Sequence, residues 1–338
     1  MWSGICYTRI SDGESVFYQA PPLGECVAIK MINKKVVDQY LKRRINATPQ
    51  DELRNVGNDY ISEVINIGAC ENPYKEMSRM LEIGDNKHVL GCHEFLQDDK
   101  HIYMILPHAC GPFYSLDKYI YKTPSEDPIP VAEVQNLFKQ ILNILAYLEE
   151  RGIHYRDVSP DNFIFLGPNH LVATDLAMSV RIPLDDSSSQ RTLIRGMGMF
   201  GTCAFMAPEI YRNFRKFDGV AADLWSAVVI LYSMLTGIPF YRRPDPMQDV
   251  SYRYYVVAEG FAPIAGEIAQ DVLEEISDPD IGDPFLQAEL AAKERINEVI
   301  PPDARKLFYN VFRVNARERW TLAQVMESDF VNRRQDQS

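Results

Sequence analysis

Ten residues, Ile153-His154-Tyr155-Arg156-Asp157-Val158-Ser159-Pro160-Asp161-Asn162, constrain what this chain can fold into more than any other stretch. An apolar helix-like run, Leu145 to Gly152, leads into them, and an apolar strand-like run, Phe163-Ile164-Phe165, leaves them. Pro160 forbids a regular ladder, so Asp157 and Asn162 must sit on a loop. Polar groups held between apolar flanks are costly unless they have partners or chemistry to perform. Further on, Val172-Ala173-Thr174-Asp175 places another acid at the end of a β-branched run. Two carboxylates and an amide at strand ends suit a divalent metal together with a proton acceptor.

Length and composition set the outer bounds. With 338 residues the chain can bury a sizeable core, and its 46% apolar and 24% charged content is ordinary for a globular protein. A formal charge of −12 argues against nucleic acid as a partner, because phosphate-backbone binders display basic patches. Cys6, Cys26, Cys70, Cys92, Cys110 and Cys203 are scattered without a C-x-x-C pair, so zinc spacing is absent. A reduced, intracellular, cytoplasmic protein is expected. No charged-then-apolar leader opens the chain. The longest apolar stretch, Leu224 to Phe240, is broken by Ser226, Ser233, Thr236 and Gly237 and predicts a buried core helix rather than a membrane span.

Along the chain, Ile5 to Ile10, Ser15 to Gln19 and Cys26 to Ile32 read as strands with turns at Asp12-Gly13 and Pro21-Pro22-Leu23-Gly24. Residues 33–72 read as an insertion or elaborated loop. A helix follows over Glu76 to Ile83, with Met77, Met80 and Leu81 on one stripe. Val89 to Phe95 and His101 to Leu106 predict a hairpin around Gln97-Asp98-Asp99-Lys100, and Val131 to Arg151 a long amphipathic helix. Residues 242–300 read as an extended segment, with a docking surface as one use for it.

The ten-residue loop resembles the catalytic loop of protein kinases, H-R-D-L-x-x-x-N, here Tyr155-Arg156-Asp157-Val158 and Asn162. Val27-Ala28-Ile29-Lys30 matches V-A-I-K, and Ala207-Pro208-Glu209 matches A-P-E, both in the right order around Asp157 and Asp175. The resemblance covers roughly residues 13 to 330. It implies an α+β, two-lobed kinase-like fold: a small β-rich N-lobe over 1–106, a larger helical C-lobe over 107–330 and a short tail, 331–338.

The same resemblance implies ATP and Mg²⁺ as cofactors and protein serine or threonine as the substrate. Asp157 would take the hydroxyl proton, Lys30 would contact the phosphates and pair with a helix glutamate, and Asn162 and Asp175 would hold magnesium. Glu76 is the favoured glutamate, with Glu71 and Glu82 as competitors. Gly13, Val16, Ala28, Leu106, Pro107, Ala109 and Ile164 would surround ATP, with Cys110 beside them. Arg156, Thr192 and Thr202 belong to the activation segment, where Ser187, Ser188 and Ser189 are further phosphosites and an upstream activating kinase would be a partner. Glu209 would pair with Arg319, and Asp223 would tie down the loop backbone.

Several positions depart from the pattern. Only Gly13 remains of the Gly-rich loop, Tyr155 replaces histidine, Asp175-Leu176-Ala177 replaces D-F-G, and Ser159 stands where a lysine is usual. Ala177 lacks the freedom of glycine to take positive φ. The alternative these departures imply is a pseudokinase, a nucleotide-binding or scaffolding module with little transfer.

Overall fold

The computed structural model describes residues 2–5, 8–11, 16–19, 26–39, 73–109, 114–121, 129–182, 193–195, 201–257 and 299–333. Gly13, Glu71, Cys110, Ser187, Ser188, Ser189, Thr192, most of the 33–72 stretch and the larger part of 242–300 lie outside them. Packing divides the chain into two units, Met1–Ser115 with Phe163–Met178, and Leu116–Asn162 with Ser179–Ser338.

The first unit is built on strands β1 (Trp2–Ile5), β2 (Thr8–Ser11), β3 (Val16–Gln19), β4 (Cys26–Asn33), β5 (Glu94–Gln97) and β6 (His101–Pro107). Four of them form an antiparallel sheet in the order β1-β4-β6-β5, while β2 and β3 pair separately. The single strand expected over Ile5 to Ile10 is therefore two. Along β6 every second residue is buried, Ile102, Met104 and Leu106, as the twofold side-chain period of a strand with one covered face requires. At the β5–β6 turn, Asp98 accepts from the backbone amides of Lys100 and His101 at 2.7 and 2.6 Å. Its bond from the Tyr103 hydroxyl, with these two amides, holds the carboxyl down at about 2.

The expected strand over Val89 to Phe95 begins only at Glu94. Val89 and Leu90 are instead drawn to the neighbouring hairpin of Phe163–Gly167 and His170–Ala173: Leu90 donates to the Ala173 carbonyl at 2.7 Å and Ala173 to His88 at 2.9 Å. Helix α1 (Pro73–Ile83) starts before Glu76, with proline at a first-turn position where its missing N–H costs nothing. Its buried face is Pro73, Glu76, Arg79, Met80 and Ile83; Leu81 is 68% exposed. The stripe of Met77, Met80 and Leu81 is thus not the one that packs, because Met80 is shared with a face one step round the helix.

In the second unit, helix α2 (Val131–Glu149) buries Val134, Leu137, Phe138, Ile141, Leu142, Leu145 and Leu148 on its apolar stripe. Gln135 on the same helix donates to the Phe330 carbonyl at 2.7 Å, so its burial leaves the amide nitrogen satisfied. Helix α3 (Gly219–Thr236) is capped by Asp218, whose side chain accepts from Ala221 N at 3.0 Å, and stopped by Gly237 at φ 71°. These signals place its ends earlier than the apolar run Leu224 to Phe240. By length and composition α3 could cross a membrane, yet 89% of that window is buried inside the protein. It is apolar on all sides because it is surrounded on all sides.

Around α3 lies an aromatic cluster. Phe240 stacks on Phe312 at 4.5 Å between ring centres, and Tyr232 and Tyr255 lie against Phe240 at 4.8 and 5.4 Å. Tyr252 and Tyr255 come from the helical turns Val250–Tyr252 and Arg253–Val257 and are buried. Within the described opening of the 242–300 stretch, Tyr252 and Tyr255 belong to the core, while Met247 is 84% exposed.

Candidate active site

The first unit brings Lys30, Glu76 and Asp175 together. Lys30 lies on β4 opposite Met104, two residues beyond the Ala28–Leu106 pair, so the ladder sets where its stem emerges. Its ammonium lies 2.9 Å from Glu76 Oε2 and 3.4 Å from Asp175 Oδ2. Glu76 is 1% exposed, so its charge requires a cation, and Lys30 supplies one. Glu82 turns the other way and accepts from Arg79 at 3.2 Å. Beside these charges Ala28, Met80, Leu90, Met104, Leu106 and Val172 form one buried apolar cluster, with Ile164 packed against it. Three of the residues assigned to ATP, Ala28, Leu106 and Ile164, thus share one apolar surface. Pro107 closes the ladder opposite Val27, and Ala109 is half-buried just beyond it. Val16 begins β3.

Asp175 adopts φ 56°, a left-handed conformation that aspartate tolerates better than most residues. Its Oδ1 accepts from Ala177 N at 3.3 Å. Ala177 is not among the described residues at positive φ, so alanine in place of glycine introduces no strain here. Leu176 is fully buried.

The second unit organises the loop. Tyr155 is completely buried and its hydroxyl donates to the Asn162 carbonyl at 3.2 Å, so the aromatic spans the loop from within. The turn closes through Asn162 N to Ser159 O at 3.0 Å. Arg156 takes φ 73°, held there as its amide donates to Asp223 Oδ1 at 2.9 Å. Asp223 Oδ2 accepts from Tyr155 N at 2.7 Å and faces His154 Nδ1 at 2.8 Å. One buried carboxylate on α3 therefore fixes three consecutive residues ahead of Asp157.

Among the described residues, only neutral donors hold Asp157. Oδ1 accepts from the Thr202 amide at 2.9 Å and its hydroxyl at 3.2 Å, and Oδ2 accepts from Asn162 Nδ2 at 3.1 Å. Burial pushes the carboxyl above its ordinary value; the Thr202 and Asn162 bonds pull against that without cancelling it. Asn162 spends its amide nitrogen on the Asp157 side chain and carbonyl, at 3.1 and 2.9 Å, which leaves its oxygen for a ligand. That oxygen in the second unit, and separately the Asp175 carboxylate in the first, are each hard donors of the kind magnesium takes. Among the described residues no group of three or more His, Cys, Asp or Glu could hold a metal unaided. A phosphate-borne magnesium needs only one or two protein carboxylates, so each of these donors fits it in chemistry.

Arg319 donates to Glu209 in a buried bidentate ion pair, 2.6 Å to Oε1 and 2.7 Å to Oε2, with the guanidinium also 4.6 Å above the Trp225 ring. Tyr241 accepts from Trp225 Nε1 and donates to the Met206 carbonyl, anchoring the chain just before Ala207.

Four more residues belong to this arrangement, and Ser159 among them was noted above as standing where a lysine is usual. Gly201, at φ 92°, lies so close to the loop that a Cβ there would meet Arg156 O at 2.8 Å and Asp157 Oδ1 at 3.1 Å. Its bare backbone lets Thr202 reach Asp157; the Gly-Thr pair was the available signal. His154 shares Asp223 with the loop amides, and Gly219 sits against its ring, where a Cβ would come within 2.8 Å. Ser159 is fully buried, and its Oγ has no hydrogen-bond partner. No sequence pattern points to His154 or Gly219, because their neighbours come from distant elements.

Comparison with known proteins agrees with this geometry. The family description "Protein kinase domain" matches residues 22–331. CBL-interacting protein kinase 11 of Oryza sativa subsp. japonica is 27% identical over 260 residues, 76% of this chain and 43% of its own length. CBL-interacting protein kinase 4 of the same plant is 33% identical over 176 residues, 51% of this chain and 36% of that protein. CBL-interacting serine/threonine-protein kinase 16 of Arabidopsis thaliana is 25% identical over 222 residues, 64% of this chain and 40% of that protein. The chain spans less than half the length of each of these relatives. A match over nearly the whole chain, on the α+β architecture described above, places it in the protein kinase domain family, with that family's two-lobed fold.

Proposed function

We propose that this chain transfers the γ-phosphate of Mg-ATP to serine and threonine hydroxyls of protein substrates. The observation that carries the proposal is Asp157: a carboxylate of raised proton affinity, oriented on both oxygens by neutral donors. A group in that state can orient an incoming hydroxyl and take its proton as the new bond forms. Lys30, positioned by Glu76, would contact the phosphates, while Ala28, Leu106 and Ile164 would offer adenine an apolar surface. Asn162 and Asp175 would hold magnesium, which supplies charge neutralisation across the phosphates when bound. Serine/threonine preference is supported by Val158-Ser159-Pro160 after Asp157, which lacks the tyrosine-kinase pattern, and by the name of the Arabidopsis relative. Arg156, at the surface of the loop, would grip a phosphate placed on the activation segment by an upstream kinase. A reduced, cytoplasmic setting completes the proposal.

A second reading, a pseudokinase, is favoured by one observation. Ser159 is buried and brings no cation to the position where a lysine would neutralise the transferred phosphate. The two readings part on phosphate transfer from γ-labelled Mg-ATP to serine-, threonine- and tyrosine-containing peptides, with Lys30→Met as control. Labelling of serine or threonine by wild type alone supports the kinase. Absence of labelling with a Mg-ATP-dependent rise in melting temperature establishes the pseudokinase.

A further inference from the structure

A pocket of about 730 Å³ opens on the second unit, away from Asp157, and its wall combines features that the phosphoryl-transfer reading does not use. Leu193, Phe214 and Val314 contribute to its lining and are 45%, 44% and 36% exposed, an unusual concentration of large apolar side chains around one opening. Lys216 and Arg317 line it too. Among the described residues neither side chain is given an ion pair or hydrogen bond. The acids in the same wall are already engaged: Glu209 gives both oxygens to Arg319, and Asp218 caps α3. The cations of the wall are therefore left in excess. Arg212 and Arg215, close to Phe214 and Lys216 in the sequence, are exposed as well. A positive, apolar pocket stands out on a chain whose net charge is −12.

We infer that this pocket docks a peptide segment of a partner protein in which acidic residues alternate with bulky apolar ones. Charge complementarity selects the acids, and the exposed leucine, phenylalanine and valine select the apolar side chains between them. A simple inorganic anion would satisfy the cations and leave the apolar lining wet. An anionic membrane would have to approach a strongly acidic molecule, and apolar groups that line a concavity do not project into a bilayer. A peptide meets both halves of the surface at once, and about 730 Å³ is enough for two or three of its side chains. Docking here does not depend on phosphoryl transfer, so an inactive kinase would retain it.

The test is fluorescence anisotropy on the full chain with labelled peptides that alternate glutamate with leucine and phenylalanine, and with the same peptides carrying lysine for glutamate. The acidic peptide is expected to bind, to weaken with added salt, and to bind Asp157→Asn as it binds wild type. Lys216→Glu with Arg317→Glu, both surface changes, is expected to weaken it at least about tenfold with an unchanged melting temperature. Phe214→Ala is expected to weaken it separately. The inference is overturned if acidic and lysine peptides bind alike, or if neither binds up to about 1 mM. It is also overturned if the charge reversal leaves affinity unchanged or instead dissociates a dimer of this chain in sedimentation. Capture of phosphatidylserine vesicles through Lys216 and Arg317, with no peptide binding, would assign the pocket to a membrane instead.

Discussion

Two acids of the second unit are treated in opposite ways. Glu209 is buried and gives both oxygens to a guanidinium, a full opposite charge at 2.6 and 2.7 Å. Asp157 is half-buried and receives only an amide N–H, a hydroxyl and a carboxamide, and its proton affinity stays raised. An acid whose work is architecture is neutralised by a cation. The acid to which the proposed function gives the chemistry is aimed by neutral dipoles, which fix its direction and leave its basicity. Asp223 stands between the two, since it spends itself on backbone amides and His154 to hold the loop that presents Asp157.

The largest expected effect comes from the architectural side. Arg319→Leu strands a buried carboxylate and should cost about 3–5 kcal/mol in urea denaturation, most of it recovered by adding Glu209→Leu. A loss below about 1 kcal/mol would show that the pair is decoration and would erase the contrast with Asp157. Next, Gly201→Ala forces a side chain into the left-handed region against Arg156 O, at about 1–3 kcal/mol, and should push Thr202 off Asp157. Unchanged stability and unchanged phosphate transfer in that variant would mean that the close approach carries nothing.

In the first unit, Lys30→Met removes the ammonium 2.9 Å from Glu76, whose side chain is 1% exposed. It should cost about 1–3 kcal/mol and abolish any melting shift with Mg-ATP. Glu76→Gln, which keeps the shape and removes the charge, should cost less than Lys30→Met. The reverse order would show that Asp175, not Glu76, is the main partner of Lys30.

The smallest effect is a slope. The native state holds the Asp157 proton more tightly than the unfolded chain does, because its folded pKa is raised. The group therefore lowers stability above its folded pKa, and that penalty fades as pH falls towards the unfolded value. Under the proposed function, transfer activity should run the other way and be lost as pH falls through the raised pKa, because the base would then be protonated. A rate profile flat down to the ordinary carboxylate range would contradict the shift.

How much of this the sequence disclosed follows from how local each signal is. Lys30, Asp157, Asn162 and Asp175 stand in short motifs whose spacing is set by neighbouring strands and turns, so they could be named before any contact was known. Glu76 could be ranked first but not separated from Glu71 and Glu82, because which face of α1 packs is settled by the sheet. Leu81 shows the same limit, as an apolar residue on the face left outside. His154 and Gly201 acquire their meaning only when α3 and the chain before Ala207 fold back on the loop, contacts far apart in sequence. Ser159 was read as a missing cation. That it turns inward with its hydroxyl unpartnered is a fact of packing that no motif encodes.

The most direct test measures two properties of Asp157→Asn on one preparation, γ-phosphate transfer from Mg-ATP and thermal stability, beside wild type. The expected result is transfer reduced by about a hundredfold or more with a melting temperature equal to or above that of wild type, since the variant removes a base and relieves a buried charge. Full transfer by the variant, or a clear drop in its stability, would contradict the claim that Asp157 is held for chemistry rather than for the fold.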